Sequence, residues 1–198
     1  MEARKLDFME ILGGTQMGKK TYTVSDILAL PDGVRAELLD GEMFMMATPV
    51  YIHQELLGWM YLEIANHIRG RNGNCKAILA PFAVYLMNDD RNYVEPDLLV
   101  MCSRERLKTD GVHGAVDWAI EIVSPSSRTM DYKRKVAAYE KAGVQEYWIV
   151  DPQKKVVSVY RPEDGWVPEI YSFQDTVPSK TVEGLSIDFA KFEPLVLH

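Results

Sequence analysis

The longest regular apolar pattern in the chain follows Thr48-Pro49, where Leu56, Leu57, Met60, Tyr61, Ile64 and Ile68 recur at helical spacing. Threonine can cap a helix and proline suits its first position, so a helix is expected to start there and to end at the RGRNGN stretch. Ahead of it, Thr23 or Ser25 can cap a short helix through Leu30, stopped by Pro31-Asp32-Gly33. Residues 36–46 read as two strands around Asp40-Gly41, a pair suited to a tight hairpin. Strand-length apolar runs follow at residues 76–79, 82–87, 98–102 and 116–123. Ser124-Pro125-Ser126-Ser127 closes the longest of these and leads into a helix over residues 130–142. Beyond Gly143, residues 146–150 and 156–161 read as strands with Asp151-Pro152 in the turn between them, and residues 166–171 add another. The strands and helices do not alternate regularly. The expected class is therefore α+β with a mixed sheet.

Composition sharpens this picture. The chain has 198 residues, 47% of them apolar and 26% charged, which suits one ordinary globular domain with a hydrophobic core. Residues 1–21 read as an N-terminal arm or short added element, and residues 22–198 as a single domain. Lysine and arginine total 22 against 29 acids, a formal charge of -7, which argues against holding nucleic acid by the overall field. A local basic site is not affected by that argument. No run approaches the length of a membrane span, and the N-terminus lacks a signal-like apolar segment, so a soluble cytoplasmic protein is expected. Cys75 and Cys102 are too few for a disulfide scaffold and read as small buried residues. Residues 13–20, GGTQMGKK, approach a phosphate loop, but Lys20 stands where a serine or threonine is needed and no helix start follows. A glycine-rich linker is the better reading. The methionines at 43–46 read as edge-strand or core filler, with an interface as the other option.

The chemistry lies in acids set among apolar neighbours. In VDWAIEIVSPSS, Glu121 sits in the pattern of a central strand, where a carboxylate is costly unless a metal, a cation or backbone donors compensate it. The plainer alternative is an exposed acid at the strand's end. Asp97 precedes Leu98-Leu99-Val100-Met101 and so stands at the mouth of a buried strand. Two acids at adjacent strand ends could share one divalent cation, and oxygen ligands suit magnesium or manganese. On the following helix, at about 100° per residue, Tyr132, Val136 and Tyr139 form one arc and Ala138 and Ala142 another. Lys135 falls between them, on the side facing the sheet, while Lys133, Arg134, Glu140 and Lys141 point to solvent. Its ammonium could reach the two acids, or the side chain could simply snorkel or form a structural ion pair. Arg128 could contact a phosphate or pair with Asp131 at the surface. Nothing reads as a zinc site or a serine-histidine-aspartate triad.

These pieces join in one resemblance. YVEPDLLV, AIEIVSPSSRTMDYKRKVAAYEKAGVQEYWIVDP and the earlier AELLDGE followed by His53 resemble the Uma2 family over roughly residues 22–175. That family is common in cyanobacteria, and it is grouped with restriction endonucleases in the PD-(D/E)XK nuclease superfamily. The resemblance implies a restriction-endonuclease-like core, a mixed central β-sheet flanked by helices. It implies Asp97 as the first acid and Glu121 as the second, both binding Mg2+ or Mn2+. The superfamily lysine would stand two residues after Glu121, where this chain has Val123; Lys135 matches the Uma2 lysine on the neighbouring helix. Glu37 matches the family's early acid and His53 another family position, with a hydrogen-bonded structural role for His53 equally open. The implied activity is metal-dependent hydrolysis of DNA phosphodiester bonds, with catalytic Asp97, Glu121, Lys135 and Glu37 and auxiliary His53 and Arg128; separately, a homo-oligomer, with a dimer as one form, is the expected assembly. The competing readings are a nuclease-fold binding or assembly protein with little or no cleavage, and a hydrolase of another phosphoester.

Overall fold

A computed structural model describes residues 20–124 and 127–195 of the chain. Nearly all of the expected N-terminal arm (residues 1–19), most of the glycine-rich stretch and Pro125-Ser126 lie outside the described residues.

Helix α1 (Val24–Leu28) begins at Thr23, whose N–H and hydroxyl both donate to the Asp26 carboxylate, at 2.8 and 3.0 Å. Strands β1 (Ala36–Leu39) and β2 (Glu42–Met45) form the expected hairpin. Asp40 and Gly41 both take positive φ, 48° and 79°, as a two-residue turn between twisted strands requires. A Cβ at Gly41 would lie 2.5 Å from Thr21, so glycine is also needed for space. Helix α2 (Tyr51–Gly70) starts later than expected: Val50 is the N-cap, and Thr48-Pro49 stays in the approach to the helix. Its buried face is the one the periodicity marked, running from His53 and Leu56 to Ile68.

Strands β3 (Lys76–Leu79), β4 (Val84–Tyr85), β5 (Tyr93–Val94), β6 (Leu98–Met101), β7 (Leu107–Lys108), β8 (Gly111–His113) and β9 (Trp118–Ile122) follow. The helix expected over residues 130–142 is a π-helix over Met130–Lys135 that continues as α3 (Val136–Ala142), closed by Gly143 at φ 84°. Strands β10 (Glu146–Asp151), β11 (Val156–Tyr160), β12 (Glu169–Ser172), β13 (Thr176–Pro178) and β14 (Ser186–Asp188) complete the described chain.

The central sheet has the order β12-β11-β10-β9-β6-β3 and is mixed, since β9 and β10 run parallel and their neighbours antiparallel. Helix α2 covers one face, with Leu56, Met60 and Ile64 against Trp118, Ile120, Ile122 and Trp148. The other face carries Ala119, Val123, Tyr147 and Ile149 against α3 residues Ala138 and Tyr139. This is the expected α+β core. A second mixed sheet, β2-β1-β5-β4-β8-β7, was not readable because several of its strands are only two or three residues long.

The reading of Cys75 and Cys102 as two small buried thiols is overturned. They are half-buried and joined by a disulfide. Antiparallel pairing sets Lys76 of β3 opposite Met101 of β6, so the next opposed pair is Cys75 and Cys102, a meeting that depends on strand order and not on sequence spacing.

Candidate active site

Period-two alternation in β9 decides the site. Trp118, Ile120 and Ile122 face α2, so Ala119, Glu121 and Val123 face the opposite helix. Val123, where the superfamily lysine would stand, is therefore part of that core, and the cation comes instead from the helix across from it. Asp131 and Lys135, four residues apart on the π-helix, share the face turned to the sheet, and both are buried.

Glu121, Glu37 and Lys135 are each 4% exposed and Asp131 1%. Lys135 Nζ lies 2.8 Å from Glu37 Oε2, 2.9 Å from Glu121 Oε1 and 3.8 Å from Asp131 Oδ1. The Tyr139 hydroxyl donates to the same Glu121 oxygen at 2.9 Å. Glu37, delivered by β1, also accepts from the backbone N–H of Glu95 at 2.9 Å. Asp97, just before β6, accepts from Ile122 N–H at 2.8 Å and pairs with His53 Nε2 at 3.1 Å. The exposed-acid alternative for Glu121 does not hold: the residue is buried, on a strand that lies inside the sheet between β10 and β6.

One ammonium among several acids leaves the pocket short of positive charge. Burial drives Glu121 well above the ordinary carboxyl range; Lys135 pulls it down, and Asp97, Glu37 and Asp131 push it further up. Burial likewise raises Asp131 to about 6, against the pull of Lys135 and the hydrogen bond from Ser127. Burial works against the Lys135 ammonium, but Glu121, Glu37 and Asp131 outweigh it and hold its pKa well above the ordinary lysine value. For His53, burial lowers the pKa, and the Asp97 contact more than offsets it, for a net rise.

Asp97, Glu121, Glu37, Asp131, Lys135 and His53 all line one cleft of about 780 Å3. Its other wall is apolar, built by residues 43–46 of the edge strand β2 and its continuation. Asp97 Oδ1 and Glu121 Oε2 take no part in the bonds just described. Among the described residues, no three acidic, histidine or cysteine side chains converge as a complete metal shell. Two carboxylates of hard oxygen, with water and phosphate oxygens to complete the coordination, are nonetheless what Mg2+ or Mn2+ accepts. The donor chemistry therefore fits such an ion, and the excess of buried acid favours a cation electrostatically.

Arg128 is turned elsewhere. Its guanidinium pairs with Asp151 at the end of β10 and with Gln153, and it does not line the cleft. The partner anticipated for it, Asp131, instead accepts from the Ser127 hydroxyl at 2.6 Å. Asp131 and Tyr139 belong to the cluster and were not singled out from sequence. The available signal for Asp131 was its separation of four from Lys135, which puts both on one face of a helix. Asp131 Oδ1 is buried without a hydrogen-bond partner.

No curated protein matches the chain. A crystal structure of a "putative nuclease belonging to DUF820" from Anabaena variabilis ATCC 29413 shares the fold, with a TM-score of 0.66 and 24% identity over 80% of this chain and 89% of that one. No described helix is long and apolar enough to cross a membrane. The model of the Uma2 family, described as "Putative restriction endonuclease", matches residues 24–190. With nearly its whole length covered by that match, the chain belongs to the Uma2 family.

Proposed function

We propose that the cleft hydrolyses phosphodiester bonds of DNA with the help of Mg2+ or Mn2+. The observation that carries this reading is the buried Lys135 ammonium held between Glu37 and Glu121 beside Asp97, all opening on one cleft. Asp97 and Glu121 would hold the divalent ion, which when bound supplies polarisation of the phosphate and a lowered pKa for the attacking water. The chain's own residues do the rest. Lys135 stays protonated through the neutral range, so it acts as a fixed positive charge on the phosphoryl oxygens as negative charge develops and not as a proton acceptor. Glu37 fixes that ammonium from the side opposite Glu121. His53 donates from Nε2 to Asp97 and sets the orientation of the carboxylate. Arg128, occupied by Asp151, has no part in the reaction.

Acting on DNA would place the protein in the cytoplasm, a compartment where a disulfide such as Cys75–Cys102 is uncommon. A homodimer would offer two such clefts to the two strands of a duplex. The test is cleavage of plasmid and single-stranded DNA by purified protein. Cutting should require Mg2+ or Mn2+, stop with chelator, and disappear in Lys135→Met with Mn2+ binding retained. Asp97→Ala/Glu121→Ala should lose both binding and cutting. A double variant that cuts like wild type would refute the assignment, as would a folded wild type that cuts nothing with either metal.

A further inference from the structure

Beyond the Lys135 ammonium assigned to the scissile phosphate, the acid-lined cleft has no positive charge to spare for the rest of a DNA strand. Its two cations, Arg35 and Lys135, are engaged with Glu95 and with Glu37 and Glu121. A second groove, of about 480 Å3, supplies what the cleft lacks. Lys20, Lys133, Arg134 and Lys141 line it against two acids, Asp40 and Glu42. All four cations are exposed. They come from three parts of the chain: the segment before α1, the π-helix and α3, facing the β1–β2 turn. Thus the lysine that ends the false phosphate loop, Lys20, does reach an electropositive site, although not by that motif.

The existing partners in this groove are weak competitors. Lys141 lies 3.4 Å from Asp40 and Arg134 2.7 Å from Glu42, both pairs open to solvent, where ion pairs are worth about 0–1 kcal/mol. Lys20 rests over the Tyr22 ring, and Lys133 makes no ion pair among the described residues. The groove also adjoins the cleft. Arg134 stacks over the ring of Phe44 at 4.8 Å, and Phe44 is part of the apolar cleft wall. The Phe44–Arg134 ridge is thus shared by both.

We propose that this groove is the track for the phosphodiester backbone of the DNA strand whose neighbouring phosphate enters the cleft. The inference rests on the nuclease reading for its partner, and it locates the sequence-independent part of binding on a net-positive patch of an acidic protein.

The test measures binding in chelator, so that nothing is cut. Fluorescence anisotropy follows labelled DNA of about 20 nucleotides, single-stranded and duplex, between about 50 and 200 mM salt. The variants are Lys133→Ala/Lys141→Ala and, as a charge-matched control away from the groove, Lys108→Ala/Lys191→Ala. Loss of two phosphate contacts should make the slope of log affinity against log salt shallower by about 1.4 for single strands or about 1.8 for duplex. Unrelated sequences should weaken equally, and the control should match wild type. An unchanged slope in the groove variant, an equal loss in the control, or no salt-dependent binding by wild type would overturn the proposal. Cleavage with Mg2+, scored on the same preparations, separates the two readings. Wild type that binds through these lysines but never cuts refutes the catalytic reading alone; wild type that cuts while the groove variant binds unchanged refutes the track alone.

Discussion

Replacing Lys135 by methionine keeps the length of the side chain and removes the only ammonium within 4 Å of Glu37, Glu121 and Asp131 among the described residues. Breaking a buried ion pair from one side costs about 3–5 kcal/mol, because the remaining charge is left uncompensated. Here three carboxyl groups lose their partner at once, so the upper part of that range is expected near pH 8. The pH dependence has a definite sign. Burial already raises Glu121 and Asp131 in the folded state, and without Lys135 both rise further. A carboxyl group whose folded pKa exceeds its unfolded value costs nothing below the unfolded value, and its penalty grows as pH rises through the folded one. Lys135 itself is fully charged across this window in the wild type, so its own titration does not contribute. Urea unfolding followed by circular dichroism should therefore find Lys135→Met least destabilised near pH 4–5 and most destabilised near pH 8. Removing the acids as well, in Glu37→Gln/Glu121→Gln/Asp131→Asn/Lys135→Met, should restore stability at pH 8 to within about 1 kcal/mol of wild type, since a whole buried charge cluster can be replaced at little cost. Equal destabilisation at both pH values, or none at pH 8, would refute the reasoning.

Asp131→Asn should stabilise the fold. A rise from 3.8 to about 6 corresponds, at 1.36 kcal/mol for each pKa unit, to about 3 kcal/mol lost by the folded state once Asp131 ionises. The gain should appear as pH rises from about 4 to about 6, and a variant less stable than wild type at pH 8 would contradict it. His53→Ala should weaken Mn2+ binding by about 10–100-fold, the usual cost of losing a group that orients a metal ligand. Calorimetric titration checks this, and unchanged affinity would remove His53 from its positioning role.

What could be read in the sequence follows from the range of the interactions involved. The Asp40-Gly41 hairpin, α2 and the inward side of Lys135 are set by neighbours a few residues away, through turn chemistry and periodicity. Glu121 stood out because a charge in an apolar strand demands an explanation wherever the strand lies. The π-helix gave no such signal, since it shifts hydrogen bonding without changing composition. The disulfide required knowing that β3 lies next to β6 in register, a long-range fact. Arg128 had two acids within reach, and only the fold shows that the parallel strand β10 brings Asp151 to it.

The central claim is that the buried acids around Lys135 form a cation-assisted phosphodiesterase centre. Crystals grown with Mn2+ and a short DNA strand test it most directly, through anomalous scattering at the manganese edge. The account predicts a manganese peak bonded to Asp97 and Glu121, with a phosphate oxygen on the same ion and Lys135 still between Glu37 and Glu121. No peak at saturating Mn2+, or one that touches neither Asp97 nor Glu121, would contradict it.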